Sequence, residues 1–262
     1  MQILVCIKQV PASTRVEVDP VTGVLKRDGA DAKMNPYDLF ALEAAFRIRE
    51  AVGGEVTVLT MGPPQAEAII REAYAMGADK GVILSDRAFA GADVLATAYA
   101  ISEGARVTGP YDLILCGKQT TDGDTAQVGS EVAEQLGLPS LANVMALEPD
   151  GDKGLRVVMD MGDSVLEAAV AFPCVISVDK DICEPRLPSY LKKKATAGRE
   201  VKYYAFADLP GADKSRCGLG GSPTQVARIF PPEVNDSREM LEGDDAALAS
   251  QIADRLIAAK FI

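Results

Sequence analysis

Four short runs of almost unbroken apolar residues constrain this chain more than any other feature: ILVCI at 3–7, VTVL at 56–59, VIL at 82–84 and LILC at 113–116. A strand that is apolar on both alternating sides must be buried on both faces, which is the condition of a parallel sheet covered by helices. The stretches between the runs supply the covering helices. Leu39, Leu42, Phe46 and Arg49 fall at steps of three or four, as do Val94, Ala98, Ile101 and Ala105, so each set traces one face of a helix. Pro63-Pro64 stands at the start of a third helical segment, and Gly77 follows it where a left-handed cap is wanted. Repeated β-α units from residue 2 to about 140 predict an α/β fold on a mostly parallel sheet.

Two regions depart from that rhythm. Between Val10 and Asn35, the pairs Val16/Val18 and Val24/Leu25 flank a turn at Asp19 to Gly23, which predicts a small hairpin insert over 10–34 outside the main sheet. After Pro139, runs at 141–147, 155–161, 165–171 and 174–178 follow one another without helices, as strands of which some are antiparallel. Residues 1–190 are therefore assigned to one α/β domain. Beyond it, large apolar side chains are scattered through a segment too irregular for its own core and too apolar for a free tail. That segment, 195–262, is expected to be an arm buried on a partner chain, with folding back onto its own domain as the alternative. It ends in an amphipathic helix from about Asp244, with Leu248, Ile252 and Leu256 on one face.

Charge and residue usage remove whole classes of function. Of 262 residues, 27 are basic and 38 acidic, and the resulting −11 repels nucleic acid and anionic membrane surfaces. The chain has no histidine, which excludes Ser/His and Cys/His catalysis and histidine-bound metal, and no catalytic residue of its own is expected. Its five cysteines, Cys6, Cys116, Cys174, Cys183 and Cys217, form no C-x-x-C pair, so no metal site is expected and a reducing, cytoplasmic setting is. No apolar run is long enough to span a membrane.

Chemistry must then be borrowed from a ligand, and one loop is suited to hold it. Gly117, Lys118, Gln119, Thr120, Thr121 and Asp122 are followed by Gly123, Asp124, Thr125, Ala126, Gln127 and Val128, between the LILC strand and a helix with Val128, Val132 and Leu136 inward. A loop at the carboxyl end of a strand, feeding a helix N-terminus, offers amides and a positive dipole to phosphate. Gly123 would let a phosphate approach the backbone closely. The competing reading is that Asp124 to Gln127 is a capping box and binds nothing. Asn35-Pro36-Tyr37-Asp38 likewise reads as a helix start, with Asn35 as cap. The first strand ends in Cys6-Ile-Lys-Gln without the G-x-G-x-x-G of nicotinamide dehydrogenases or the S-G-G-x-D-S of ATP pyrophosphatases.

Taken together and in order, VCIKQVP at 5–11, MNPYD at 34–38, LTMGP at 59–63, AMGAD at 75–79, GKQTTDGDTAQVG at 117–129 and EPRLP at 184–188 resemble the β subunits of electron transfer flavoproteins over nearly the whole chain. The resemblance implies a three-layer, Rossmann-like fold of the adenine nucleotide α-hydrolase and universal-stress kind, with a C-terminal arm wrapping an α subunit. It implies a nucleotide, FAD or alternatively AMP, with Cys6, Asn35, Tyr37, Asp38 and Met61 near the adenine and ribose and residues 117–128 around the phosphates. The reading DGDTAQVG at 122–129, where AMP-holding members resemble D-D-D-x-N-Q-T-G, is similar to the flavin-bifurcating group.

In that group the bound FAD takes hydride from NADH, sending one electron to ferredoxin or flavodoxin and the other through the α-subunit FAD to a flavin-containing dehydrogenase of acyl-CoA or 2-hydroxyacid type. Any NADH:acceptor oxidoreductase activity would belong to the complex. The segment 184–195 resembles the family's recognition loop, which implies docking through Leu187 with Lys192, Lys193 and Lys194 beside it; on spacing alone, Leu187 could be core and the lysines a solvated run. A loop shorter than the mitochondrial form argues against an acyl-CoA partner. Two further readings remain open: a non-bifurcating β subunit holding structural AMP, and a universal-stress-type nucleotide sensor, against which the long arm argues.

Overall fold

The computed structural model describes residues 1–12, 32–151, 153–227 and 238–262. The first half runs β1 (Gln2–Cys6), β2 (Gln9–Pro11), β3 (Ala32–Met34), α1 (Pro36–Val52), β4 (Glu55–Met61), α2 (Glu67–Met76), β5 (Lys80–Leu84), α3 (Val94–Thr108), β6 (Leu113–Gly117) and α4 (Val128–Leu136). The second half runs β7 (Ser140–Pro149), β8 (Gly154–Asp160), β9 (Val165–Ala171), β10 (Cys174–Val178), α5 (Tyr190–Ala195), β11 (Lys202–Tyr204) and α6 (Asp245–Ala258). Nine strands form one sheet in the order β11-β5-β4-β1-β6-β10-β7-β8-β9. The sheet is parallel from β11 to β7 and antiparallel through β8 and β9.

The unbroken apolar runs are explained by what each face meets. In β1, Ile3 and Val5 point into a core shared with α1 and α2, while Leu4 and Cys6 point into a second core shared with α3 and α4. Ile3, Leu4 and Val5 are fully buried, and side chains of this size contribute about 1.5–3 kcal/mol each when removed from water. The result is three layers, helix, sheet and helix. Pro63 and Pro64 belong to a 3₁₀ turn at Pro64–Ala66, so α2 starts one turn later than the prolines suggest. Gly77 closes α2 at φ +140°, in the region that disfavours side chains.

β2 and β3 pair with each other, antiparallel, as a ribbon separate from the main sheet. Val16, Val18, Val24 and Leu25 lie outside the described residues.

The described residues 195–227 do not stand apart as an arm. β11 adds to the sheet beside β5, Leu209 and Cys217 are buried, and Asp93 accepts hydrogen bonds from the Thr224 amide and hydroxyl at 2.9 and 2.7 Å. The stretch to Thr224 is thus seated on this chain's own domain. The irregular sequence hid this because its contacts are single side chains and a three-residue strand. α6 contrasts with it. Asp244 caps that helix through the Ala247 amide at 2.8 Å, yet no residue of the helix is buried, and Ile252 and Ile257 stand exposed.

Candidate functional site

β1 and β6 are neighbours whose onward connections leave in opposite directions along the sheet, toward β4 and toward β7. Such a switch point opens a crevice at the carboxyl ends of the strands. Here the crevice is walled by Cys6, Ile7 and Lys8 after β1, Asp38 on α1, Val94 and Ile101 on α3, and the loop from Cys116 to Val128.

The loop holds an unusual backbone. Asp124 and Ala126 have φ of +50° and +55°, a conformation that costs a non-glycine residue on the order of 1 kcal/mol and persists where the surroundings impose it. Helix α4 starts at Val128, and Gln127 at its cap position makes no side-chain bond. The capping box of the competing reading is absent at Asp124: its carboxylate accepts from Gln119 Nε2 at 3.0 Å instead. An uncapped helix start leaves its first amides for another acceptor. Gly123 lines the crevice, and a Cβ there would meet only Thr120 Oγ1 at 3.4 Å, so the protein itself leaves that space open.

Asn35 is not a conventional cap either. It is fully buried, and its Nδ2 donates to Asp38 Oδ1 at 2.8 Å and to the Gln119 carbonyl at 2.9 Å, while its Oδ1 accepts from the Thr121 amide at 3.3 Å. It ties the start of α1 to the loop. Asp38 accepts the Lys8 amide at 2.7 Å on its other oxygen. Burial pushes the Asp38 carboxyl up to about 7, against the pull of Asn35, Lys8 and the Gly117 backbone. Two ion pairs brace the loop from outside: Lys8 Nζ to Asp122 Oδ1 at 2.8 Å and Lys118 Nζ to Asp179 Oδ2 at 2.6 Å.

Cys6 and Cys116 are register partners on β1 and β6. The hydrogen bond from Cys6, then burial, push the Cys116 thiol well up, which keeps it neutral. Among the described residues no group of three or more His, Cys, Asp or Glu side chains gathers as metal ligands, and no helix is long and apolar enough to cross a membrane.

Of the residues singled out by sequence, Cys6, Asp38, Gly117, Lys118, Gln119, Thr120, Gly123, Thr125, Ala126, Gln127 and Val128 converge on the crevice wall. Asn35 lies beneath it. Thr121, Asp122 and Asp124 belong to the loop without lining the crevice; Tyr37 packs edge-on against Phe40 at 6.4 Å, and Met61 leans on the core under α3. Sequence reasoning missed Lys8 and Asp179 as braces. Their signal was their position, each just beyond the end of a central strand.

The segment after β10 forms a second feature. Leu187 is 86% exposed, which excludes the core reading, and Tyr190 and Leu191 are exposed beside it. Lys192 is not part of a free charge run: its Nζ donates to the Met76 carbonyl at the end of α2, at 3.0 Å. Lys193 and Lys194 remain exposed.

A family model described as electron transfer flavoprotein domain matches residues 22–209. The chain is 45% identical to the electron transfer flavoprotein subunit beta of Thermoanaerobacterium thermosaccharolyticum, over 98% of both chains. It is 43% identical to protein FixA of Azorhizobium caulinodans, over 100% of this chain and 94% of that one. It is also 42% identical to the caffeyl-CoA reductase-Etf complex subunit CarD of Acetobacterium woodii, over 93% and 92%.

Proposed function

The chain belongs to the electron transfer flavoprotein β subunit family, and from that membership we propose that its crevice holds FAD and that, paired with an α subunit, it takes part in flavin-based electron bifurcation. Hydride would come from NADH, one electron would go to ferredoxin or flavodoxin, and the other would pass by the α-subunit FAD to a flavin-containing dehydrogenase. The observation that carries the nucleotide reading is the uncapped start of α4 beside the left-handed Asp124 and Ala126 and the open space at Gly123. These features suit a diphosphate met by main-chain amides.

In this reading the bound flavin supplies all the redox chemistry, and the chain binds and orients. The loop 117–128 would hold the diphosphate, and Asn35 and Asp38 would keep the loop against α1. Cys6 and Ile7 would face the adenosine end of the crevice. All five cysteines are unpaired, which suits a reducing cytoplasm.

Nucleotide release from the purified heterodimer tests the proposal. Two FAD per heterodimer are expected; one FAD with one AMP would overturn bifurcation and leave the AMP-holding reading. The unburied α6 supports a role for that helix in gripping the α subunit. Deletion of 239–262 is expected to leave the thermal midpoint of this chain unchanged and to weaken heterodimer formation in size-exclusion runs at low concentration. A lowered midpoint would show that α6 belongs to the chain's own fold.

A further inference from the structure

The residue before the exposed Leu187 is held more firmly than any other in its segment. Arg186 Nε and Nη2 donate to the two carboxylate oxygens of Glu43 at 2.7 and 3.2 Å, and Nη1 and Nη2 donate to those of Glu50 at 2.7 and 3.2 Å. Its guanidinium lies 5.0 Å over the centroid of the buried Phe46 ring, a cation–π contact. Its amide also donates to Glu43 Oε2 at 3.2 Å. All three partners are on α1.

Beyond Leu187 the chain is fastened again, now to α2. Pro188 restricts the backbone, the Ser189 amide donates to the Ala75 carbonyl at 2.9 Å, and Lys192 Nζ reaches the Met76 carbonyl. An apolar side chain 86% exposed, between two fixed points, has no packing role in this chain. A hook on a loose loop would have to be ordered when it docks, and that ordering subtracts from affinity; a hook already fixed avoids the loss.

We propose that Arg186 is a positioning residue that presents Leu187 to the partner dehydrogenase by clamping the loop onto α1. The inference rests on the reading of this segment as the dehydrogenase-docking loop. The clamp also explains why the fork of an arginine, and not a lysine, stands here: one planar group engages two carboxylates and a ring face at once.

A double-mutant cycle in the heterodimer tests it, reading the KM for heterodimer in electron transfer from two flavin-containing probes, an acyl-CoA dehydrogenase and a 2-hydroxyacid dehydrogenase, each reduced by its substrate. Leu187→Ala should raise KM by about 30-fold with the better probe, the size of a docking hot spot. Arg186→Ala should raise it by about tenfold with kcat unchanged, as expected for lost preorganisation. In the Leu187→Ala background it should add nothing.

Because Arg186→Ala leaves Glu43 short of a partner in a buried place, Glu43→Gln/Arg186→Ala is run beside it and should show the same KM effect. Arg186→Lys should recover only part of the loss. Hydrogen exchange of residues 184–192 should accelerate in both Arg186→Ala variants. No transfer from either probe, or an unchanged KM in Leu187→Ala, would overturn the docking reading itself. A raised KM in Leu187→Ala with wild-type KM in both Arg186→Ala variants, or additive effects in the cycle, would overturn the clamp alone.

Discussion

Gly117→Ala should lower the stability of the chain and empty the crevice proposed to hold its nucleotide together. A Cβ at this position would stand 2.6 Å from Asp38 Oδ1 and 2.7 Å from the Tyr37 carbonyl carbon. The second is main chain at the start of α1, so relief requires the helix to move off the end of β6. Overpacking of this kind costs about 1–3 kcal/mol, and each kcal/mol lowers the midpoint of a chain this size by about 2–4 °C. The same shift would pull Asp38 and Asn35 from the loop, so nucleotide retained after desalting should fall with the melting temperature. Gly123→Val is the control. Its Cβ meets only ordinary contact with Thr120 Oγ1, so the midpoint should hold while nucleotide content drops. Wild-type melting and nucleotide content in Gly117→Ala would sink the argument.

Asp38 should make stability fall between acid and neutral pH. Its carboxyl, ordinarily at 3.8, is pushed to about 7 in the folded chain, first by burial. A group raised in the folded state favours folding fully below its unfolded pKa, and that contribution is lost as pH rises through the folded value. The window is therefore from about 4 to about 7. A shift of this size is worth on the order of 4 kcal/mol. Asp38→Asn removes the titration but turns an amide N–H₂ toward one of the two donors, the Lys8 amide or Asn35 Nδ2, at a cost of about 1–3 kcal/mol at every pH. In urea unfolding, the stability of the wild-type chain relative to Asp38→Asn should fall steadily from pH 5 to pH 8, where the variant should match or exceed it. An equal difference at both pH values would show that the carboxyl does not carry this proton. In the folded protein near neutrality, a carboxyl of this kind holds a proton part of the time directly beneath the proposed nucleotide site.

The positions of the loop residues were legible in the chain, but their roles were not. GKQTTDGDTAQVG could be placed between strand and helix from apolar spacing alone. Local spacing left Asp124 and Asn35 open to a reading as side-chain caps for one reason. Side chains that favour caps are also those that bridge backbone segments, and local spacing cannot tell which partner wins. The structure decides through distance across the fold: Asn35 reaches Gln119 and Thr121, and Asp124 turns to Gln119. Lys192 shows the same limit, since a lysine run looks solvated until the end of α2 arrives beside it.

By itself the amino-acid sequence determined the layered α/β class, the four central strands, the two pairs of covering helices and the family, because burial on both faces of a strand leaves an unmistakable run of apolar residues. Only the tertiary structure decided that the stretch to Thr224 closes on its own domain, that β10 slips between β6 and β7, and that Arg186 grips two glutamates 136 and 143 positions away. Those contacts join residues far apart in the chain through strand ladders and single side chains, and neither periodicity nor composition carries a mark of them.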